Sequence, residues 1–339
     1  MNPKERLYKV LKGEEVDRVP CICPGGMMNM IIEDVMDIED VSWPKAHTNP
    51  SMMADLTYGM YKNNAFENLG VPFCMTVEAE SMGAKVYMGT KNTEPRVTEY
   101  PITSSEEYKT LNNIDVNKGR AKVVLDAIKI LKSRDLEVPI IANLTGPVSL
   151  ASSLMEPMIY YKEIRKKPGK VHEFMEFVTN NLIIFGKAQL EAGADILTIS
   201  DPSGTGEILG AKNFNEFAIP YLNKIIDELK SYAKGGTIIH ICGRLKSIYK
   251  ELNSLHSDAI SFDSITSVSQ VKANVYNKVI MGNVSTFALE NSEKSSLENI
   301  CESCLNSGVD ILSPACGIGV RTKLDNIQVL KKCVENYSR

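Results

Sequence analysis

The chain has 339 residues, of which 43% are hydrophobic and 24% charged, and its formal net charge is -4. These values are typical of a globular protein and exclude a disordered, collagen-like or coiled-coil chain. The balance of 38 basic against 42 acidic residues argues against non-specific nucleic-acid binding. No apolar run approaches the roughly 18 residues of a membrane span, and the charged N-terminus lacks a secretory signal. We therefore expect a cytoplasmic protein that has neither nucleic acid nor a membrane as a partner.

Eight short apolar runs recur along the chain, and a long amphipathic stretch follows most of them. Because the runs are apolar without strict alternation, they indicate strands that are buried on both faces. They comprise residues 19–23, 71–77, 138–144, 195–200, 237–242, 259–262, 278–284 and 309–315. Strands that alternate with helices imply a parallel sheet of the α/β class. Eight such units favour a closed (β/α)8 TIM barrel, although an open doubly wound sheet has the same local pattern.

The segments between the runs predict helices and one irregular connection. Apolar residues in 171–192 recur with a period near 3.6, and 214–234 predicts another helix that Pro220 either kinks or starts. An N-terminal helix is expected outside the barrel. Residues 84–135 contain a polar, hairpin-like excursion, which we interpret as an elaborated connection after the second strand. The chain, 1–339, is therefore predicted to be a single domain.

The strongest chemical signal is His240-Ile241-Cys242-Gly243, at the end of the fifth run. Alternate residues of a strand point to the same side, so His240 and Cys242 would face the barrel mouth together, where barrel enzymes carry their chemistry. Cys316 follows the last run, three βα steps further on. One imidazole and two thiolates suit Zn²⁺ and leave a fourth position for a substrate. The alternative is that both cysteines are small buried hydrophobes.

Other metal-binding residue types give weaker signals. Asp263 follows the sixth run at the mouth and is either a further zinc ligand or the cap of the next helix. Cys301 and Cys304 form a C-x-x-C pattern within a helical segment and lack a second pair at zinc spacing, so we interpret them as packing residues. His47 lies in a loop and has no evident partner in the sequence.

Six further residues at the predicted strand ends are candidates for contact with a cofactor. They are Gly25, Gly26, Met27, Met28, Glu78 and Asp201. The paired glycines would let the backbone approach a ligand closely, and the methionines would offer flexible apolar side chains, although methionine more often fills a core. The two acidic residues would place carboxylates at the mouth or face solvent. No glycine-rich nucleotide-binding pattern is present.

Seven stretches spread along the chain resemble the methylcobamide:coenzyme M methyltransferases of the uroporphyrinogen decarboxylase superfamily. They are RVPCICPGGMMN (18–29), GVPFCMTVEAESMGA (70–84), IANLTGPVSLASSLMEP (141–157), ISDPSGTGEILG (199–210), IHICGRLKSIYKEL (239–252), DAISFDSI (258–265) and ILSPACGIG (311–319). PGGMMN and TVEAE resemble the methylamine-type branch. Uroporphyrinogen decarboxylases carry an arginine-rich segment after the first strand, whereas residues 23–36 of this chain contain no arginine.

The resemblance implies a barrel that binds one Zn²⁺ per chain through His240, Cys242 and Cys316, with Asp263 near the position of an acidic ligand that is Glu in some members. It implies methyl transfer from a methylated corrinoid, either methylcobalamin or a corrinoid protein, to the thiol of coenzyme M. The products would be methyl-coenzyme M and a Co(I) corrinoid. Alternatives are another acceptor, such as tetrahydrofolate or a different thiol, and a non-catalytic barrel that only binds a corrinoid protein.

The acidic tail of such a thiol substrate would need a cationic or N–H contact. Arg244 and Arg321 follow the two ligand loops and are either contacts for this tail or surface charges. The sequence does not decide between these roles, nor does it indicate the oligomeric state.

Overall fold

The structure, a computed structural model, describes residues 1–337, and its strands form one parallel sheet and one hairpin. The strands are β1 (Leu69–Val71), β2 (Lys85–Tyr87), β3 (Arg96–Glu99), β4 (Ile140–Thr145), β5 (Ile196–Ser200), β6 (Gly236–Ile241), β7 (Ala259–Phe262), β8 (Val279–Val284) and β9 (Ile311–Pro314). The parallel sheet has the order β1-β4-β5-β6-β7-β8-β9, and its strands are almost entirely buried. β2 and β3 pair antiparallel. The predicted hairpin-like excursion is therefore confirmed.

Helices surround the sheet and cover its outer face. They are α1 (Pro3–Leu11), α2 (Glu33–Ile38), α3 (Pro50–Lys62), α4 (Val77–Ser81), α5 (Gly119–Ser133), α6 (Pro147–Leu154), α7 (Pro157–Lys166), α8 (Pro168–Ala192), α9 (Gly206–Phe217), α10 (Ile219–Leu229), α11 (Tyr249–Leu252), α12 (Val268–Asn274), α13 (Thr286–Asn291), α14 (Lys294–Asn306) and α15 (Leu324–Asn336). Pro220 lies in the first turn of α10, so it starts a helix. Within residues 1–337, no helix combines the length and apolar character that a bilayer crossing requires.

The extended segment 19–23 occupies the place of the remaining barrel strand, beside β9. Leu312 donates its N–H to the carbonyl of Pro20 at 3.0 Å, and Ile22 donates its N–H to the carbonyl of Leu312 at 3.1 Å. The pairing with β9 is confined to this one bridge. Pro20 lacks an N–H and Pro24 follows the segment, so a longer ladder has fewer donors. The prediction of a regular strand at 19–23 is therefore wrong, although the segment lies where that strand was expected.

Side chains connect the other edge of this segment to β1. Asn68 accepts the N–H of Cys23 at 2.9 Å and donates to its carbonyl at 2.8 Å. Glu67 accepts the N–H of Cys21 through its carboxylate at 2.9 Å, and its own N–H donates to the carbonyl of Cys21 at 2.9 Å. We call residues 19–23 with Glu67 and Asn68 the seam. The seam closes the sheet, and the predicted (β/α)8 architecture is confirmed.

The second predicted strand is shorter than expected and begins earlier. The sequence predicts residues 71–77, whereas β1 is Leu69–Val71. Pro72 follows directly and cannot donate to a ladder, so regular pairing ends there. The chain then forms a short loop and enters α4 at Val77. Glu78, expected in a loop, consequently lies on a helix.

Candidate metal centre

Three predicted ligands lie together at the carboxyl ends of the barrel strands. His240 is in β6, Cys242 follows that strand, and Cys316 follows β9. The His240 Nε2 atom is 3.1 Å from the Cys242 Sγ atom, and the two Sγ atoms are 3.7 Å apart. His240 is fully buried, whereas both cysteines are partly exposed. The structure therefore brings together the imidazole and the two thiols that the sequence singled out.

The separation of the two sulfur atoms fits a tetrahedral zinc ion. Zn–S bonds of about 2.3 Å at tetrahedral angles place two sulfur ligands about 3.8 Å apart, close to the separation found here. All three ligand atoms lie within 4.8 Å of one another, and no other such group of His, Cys, Asp or Glu occurs in residues 1–337. One neutral nitrogen and two sulfur donors are also ligands that Zn²⁺ prefers. The donor set leaves room for a fourth ligand.

Neighbouring strands orient the imidazole. His240 is in register with Ser200 of β5 and with Ser261 of β7. The His240 Nδ1 atom is 3.0 Å from the Ser261 hydroxyl, which occupies the side of the ring away from Cys242. The Nε2 atom is consequently the nitrogen that faces the two thiols. Ser261 leaves no signal in the sequence, because only the strand register reveals that it adjoins His240.

The two thiols influence each other strongly. The pKa of Cys316 is lowered, because its thiolate accepts a hydrogen bond from Cys242. The pKa of Cys242 is raised, because it donates that hydrogen bond and is largely buried. One of the two sulfurs therefore loses its proton easily. A cation that replaced the shared proton would favour deprotonation of both.

The loop that carries Cys316 packs against the segment that follows the seam. Ile318 donates its N–H to the carbonyl of Asn29 at 2.9 Å, and the Asn29 side chain donates to the carbonyl of Ile318 at 3.2 Å. A Cβ atom on Gly317 would lie 2.6 Å from the carbonyl oxygen of Met27. Asn29 thus holds the Cys316 loop. No sequence spacing signals this contact, because 289 positions separate Asn29 from Ile318.

Asp263 lies outside the group of three ligands. Its carboxylate accepts the N–H of Ile265 at 3.1 Å and contacts the Ser264 hydroxyl at 3.3 Å. These bonds close the turn after β7. The prediction that Asp263 caps the next helix is wrong, because α12 begins at Val268 and its N-cap residue is Ser267. A role as a zinc ligand would require this carboxylate to turn away from the backbone N–H, and it stays a prediction.

The glycines and methionines after the seam are largely enclosed. Gly25 and Gly26 have φ angles of +95° and +62°, which strain other residues, and a Cβ on either would lie within about 3 Å of Asn143. The two glycines therefore let the backbone pack closely against Asn143 of β4, a neighbouring strand. Met28 is fully buried, and its sulfur is 3.7 Å from the Ser261 hydroxyl, whereas Met27 is partly exposed.

The two predicted carboxylates are buried and fully engaged. Glu78 accepts hydrogen bonds from the N–H of Thr145 at 2.8 Å and from the Thr145 hydroxyl at 3.1 Å. Asp201 accepts the N–H of Ser149 at 2.8 Å and its hydroxyl at 2.6 Å, so it caps the start of α6. Burial raises the pKa of both carboxyl groups. Each braces a strand end at the mouth, and contact with a cofactor stays a prediction for both.

The two arginines that follow the ligand loops are exposed. Arg244 forms an ion pair with Glu207 at 3.1 Å, and its backbone N–H donates to the same carboxylate at 3.0 Å. Arg321 is also exposed. A different arginine, Arg120, is buried and donates to the Thr76 hydroxyl at 2.8 Å, beyond the end of β1. The sequence analysis did not single it out.

Comparison with known proteins confirms the resemblance seen in the sequence. The sequence profile of the family described as uroporphyrinogen decarboxylase (URO-D) matches residues 2–337. The chain is 32% identical to the methylcobamide:CoM methyltransferase MtbA of Methanosarcina acetivorans, over 99% of this chain and 98% of that protein. It is 30% identical to a methylated-thiol–coenzyme M methyltransferase of Methanosarcina mazei, over 99% of this chain and 90% of that protein.

A solved structure leads to the same conclusion. The structure described as a methyltransferase from Methanosarcina mazei superimposes with a TM-score of 0.91 and 31% identity, over 99% of this chain and 98% of the other. Sequence and structure thus agree along nearly the whole length. The chain belongs to the uroporphyrinogen decarboxylase family.

Proposed function

We propose that this chain is a zinc-dependent methyltransferase that moves a methyl group from a methylated corrinoid to the thiol of coenzyme M. The donor is methylcobalamin or a methylated corrinoid protein, and the products are methyl-coenzyme M and a Co(I) corrinoid. The observation that carries this proposal is the convergence of His240, Cys242 and Cys316 at the barrel mouth. Support comes from the 32% identity to an enzyme named for methylcobamide and coenzyme M.

The ligand set suits a thiol substrate. When bound, Zn²⁺ would supply Lewis acidity that keeps the substrate sulfur deprotonated at neutral pH. Cys242 and Cys316, as thiolates, would balance the charge of the ion, and His240 would add a neutral donor. An incoming sulfur would therefore retain more electron density than it would beside three imidazoles, the ligand set that activates water. A nucleophilic sulfur is what attack on a methyl group requires.

The surrounding residues keep this group rigid. His240, Ser261 and Met28 are fully buried, so the imidazole has little freedom to turn. Holding the acceptor sulfur at a fixed place lets a docked donor meet it in line, and such positioning supplies much of the rate in methyl transfer. The two cysteines, which are partly exposed, would be the part of the group nearest to an entering substrate.

Metal analysis and a defined transfer assay test this proposal. The purified protein should contain about one zinc per chain, and it should convert methylcobalamin and coenzyme M with loss of the methylcobalamin spectrum. Homocysteine and tetrahydrofolate, offered separately as acceptors, should react more slowly. If the protein neither contains nor takes up stoichiometric zinc, the non-catalytic alternative is favoured. If another acceptor reacts fastest, the coenzyme M assignment is wrong.

A methylated thiol is a second candidate donor, because one relative is named as a methylated-thiol–coenzyme M methyltransferase. The residues that would hold the acceptor thiol would serve both reactions, since only the group that leaves the methyl carbon differs. An assay with dimethyl sulfide and coenzyme M, supplemented with a corrinoid protein, separates the two. Methyl transfer from methylcobalamin without turnover of dimethyl sulfide supports the first proposal.

A further inference from the structure

We propose that Ser261 is the positioning residue for His240: its hydroxyl oxygen accepts the Nδ1–H and so fixes the neutral tautomer that presents the Nε2 lone pair to the metal. This inference deepens the proposed function and rests on the metal centre proposed there. It assigns a residue of β7, which itself contributes no ligand, to the control of a ligand on β6.

The direction of the hydrogen bond follows from the groups around the hydroxyl. Ser261 Oγ lies 3.0 Å from His240 Nδ1 and 3.7 Å from the sulfur of Met28. A thioether sulfur carries no hydrogen and can only accept, so the contact with Met28 uses the hydroxyl hydrogen. With the hydrogen directed there, the lone pairs of the hydroxyl face the imidazole, an arrangement that fits a proton on Nδ1. Nε2, 3.1 Å from the Cys242 sulfur, is left with a free lone pair.

The opposite arrangement would disable the centre. If Ser261 donated to Nδ1, the imidazole proton would lie on Nε2 and point at the Cys242 thiol. That nitrogen could not bind a metal without first losing the proton. The fully buried Ser261 and Met28 disfavour this state, because the thioether would lose its donor.

A hydroxyl is also a distinctive partner for a metal-bound imidazole, which often donates to a carboxylate. A carboxylate would add negative charge to a group that already contains two thiols. The neutral hydroxyl orients the ring and adds no charge. The two thiolates, Cys242 and Cys316, then remain the charged members of the three-residue group.

The fold supplies a matched control for Ser261. Ser200 is in register with His240 on the opposite side, is nearly fully buried, and its hydroxyl has no hydrogen-bond partner. Both serines therefore flank the same histidine from adjacent parallel strands. Only Ser261 bonds to the ring, so replacing each hydroxyl separates an effect of the bond from an effect of altering a neighbouring strand.

The test compares Ser261→Ala, Ser261→Val, Ser261→Thr and Ser200→Ala in the full chain. Zinc affinity is measured by competition with a chromophoric chelator, and the Co²⁺-substituted protein is examined by its absorption spectrum. We expect Ser261→Ala and Ser261→Val to weaken zinc binding by about 10- to 100-fold, the usual effect of losing such a partner. Ser261→Thr, which keeps the hydroxyl, and Ser200→Ala should remain within about threefold of the parent chain.

Nitrogen NMR on protein labelled at histidine gives an independent readout, because the chain has only 4 histidines. The metal-free parent chain should show His240 protonated at Nδ1, and Ser261→Val should show a shift toward the other tautomer. The Thr and Val variants have nearly the same shape, so their comparison remains decisive if Ser261→Ala folds poorly.

Two results would overturn the inference. One is Ser261→Val with zinc affinity and tautomer like those of the parent chain; the other is an equal loss in Ser261→Val and Ser200→Ala. Failure of the proposed function looks different, because the parent chain itself would then fail to bind zinc. A parent chain that binds zinc, with an indifferent Ser261, leaves the metal centre standing and removes only this role.

Discussion

The two sides of the metal centre are built in different ways. His240 and Cys242 come from β6, which is paired by regular backbone ladders to β5 and β7. Cys316 comes from the end of β9, whose other neighbour is the seam. One side is thus held by strand geometry. The other has a regular ladder only to β8, and on its second edge it depends on the seam and on a loop that packs against Asn29.

This difference shows where the precision of the site originates. A ladder fixes the positions of alternate residues by the geometry of the strand itself, so His240 and Cys242 need little further support. The seam has a single backbone bridge to β9, and on its other edge Glu67 and Asn68 supply side-chain bonds in place of a regular ladder to β1. We therefore expect substitutions on the seam side to act through stability and position, and substitutions of ligands to act through the metal.

The largest expected effect is the loss of a ligand from either side. Cys316→Ala and Cys242→Ala should each abolish zinc retention and reduce methyl transfer by about 10³-fold or more, because the proposed metal would supply several kcal/mol of the catalysis. Zinc content and the methylcobalamin assay measure both effects. Cys333→Ala, a cysteine on α15 outside the group, is the control and should keep full zinc. Full zinc and activity in either ligand variant would contradict the assignment.

The next largest effect is expected at the seam. Glu67 is buried, pairs with Arg6 at 3.2 Å and with Arg18, and accepts the N–H of Cys21. Glu67→Ala should lower the free energy of unfolding by about 1–3 kcal/mol, because it leaves the buried N–H of Cys21 without a partner and removes the carboxylate that Arg6 and Arg18 share. Urea denaturation measures this change.

An exposed ion pair provides the contrast for the seam. Glu99 pairs with Lys85 at 2.6 Å on the β2–β3 hairpin, and both side chains are more than half exposed. Glu99→Ala should change the free energy of unfolding by less than about 1 kcal/mol, as is usual for surface pairs. Equal effects of Glu67→Ala and Glu99→Ala would mean that the Glu67 contacts do not hold the barrel closed.

The positions of His240 and Cys242 on β6 could be predicted from the sequence. The contacts that hold the Cys316 loop and the seam could be predicted only in part. His240 and Cys242 stand two positions apart at a recognisable strand end, and Cys316 stands at an equivalent end, so strand geometry alone indicates convergence. Six strands lie within two residues of the apolar runs that predict them, whereas β1 shares only Val71 with its run. Residues 19–23 are as apolar as the other runs, and only Pro20 and Pro24 hint that the ladder is broken. Contacts such as Asn29 to Ile318 leave no local pattern.

A smaller, positional effect is expected at Gly317. An added Cβ would lie 2.6 Å from the Met27 carbonyl oxygen and 3.1 Å from the Asn29 nitrogen, both backbone atoms that yield little. Gly317→Ala should therefore displace the Cys316 loop and weaken zinc binding by about 10-fold, the lower end of the range for a lost supporting contact. Competition with a chromophoric chelator measures the zinc affinity of this variant.

The control for this substitution is Gly169 on α8, where an added Cβ meets nothing within 4 Å. Gly169→Ala should leave zinc affinity unchanged and be neutral or slightly stabilising, because alanine restricts the unfolded chain. Unchanged zinc affinity in Gly317→Ala would show that the Cys316 loop adapts freely, and the contrast between the two sides of the centre would then be smaller than the contacts indicate.

The smallest effect concerns the C-x-x-C pair on α14. Cys301 and Cys304 are buried on one face of this helix, and the Cys304 sulfur lies 3.7 Å from the Asn283 side-chain oxygen. Burial raises the pKa of Cys304, which disfavours the thiolate that a metal would need. Cys304→Ala should lower the free energy of unfolding by about 1 kcal/mol and leave zinc content unchanged. Zinc content is measured in this variant and in Cys316→Ala side by side. Loss of zinc in Cys304→Ala would contradict the packing interpretation, because it would mean that the C-x-x-C pair on α14 also contributes to the metal centre.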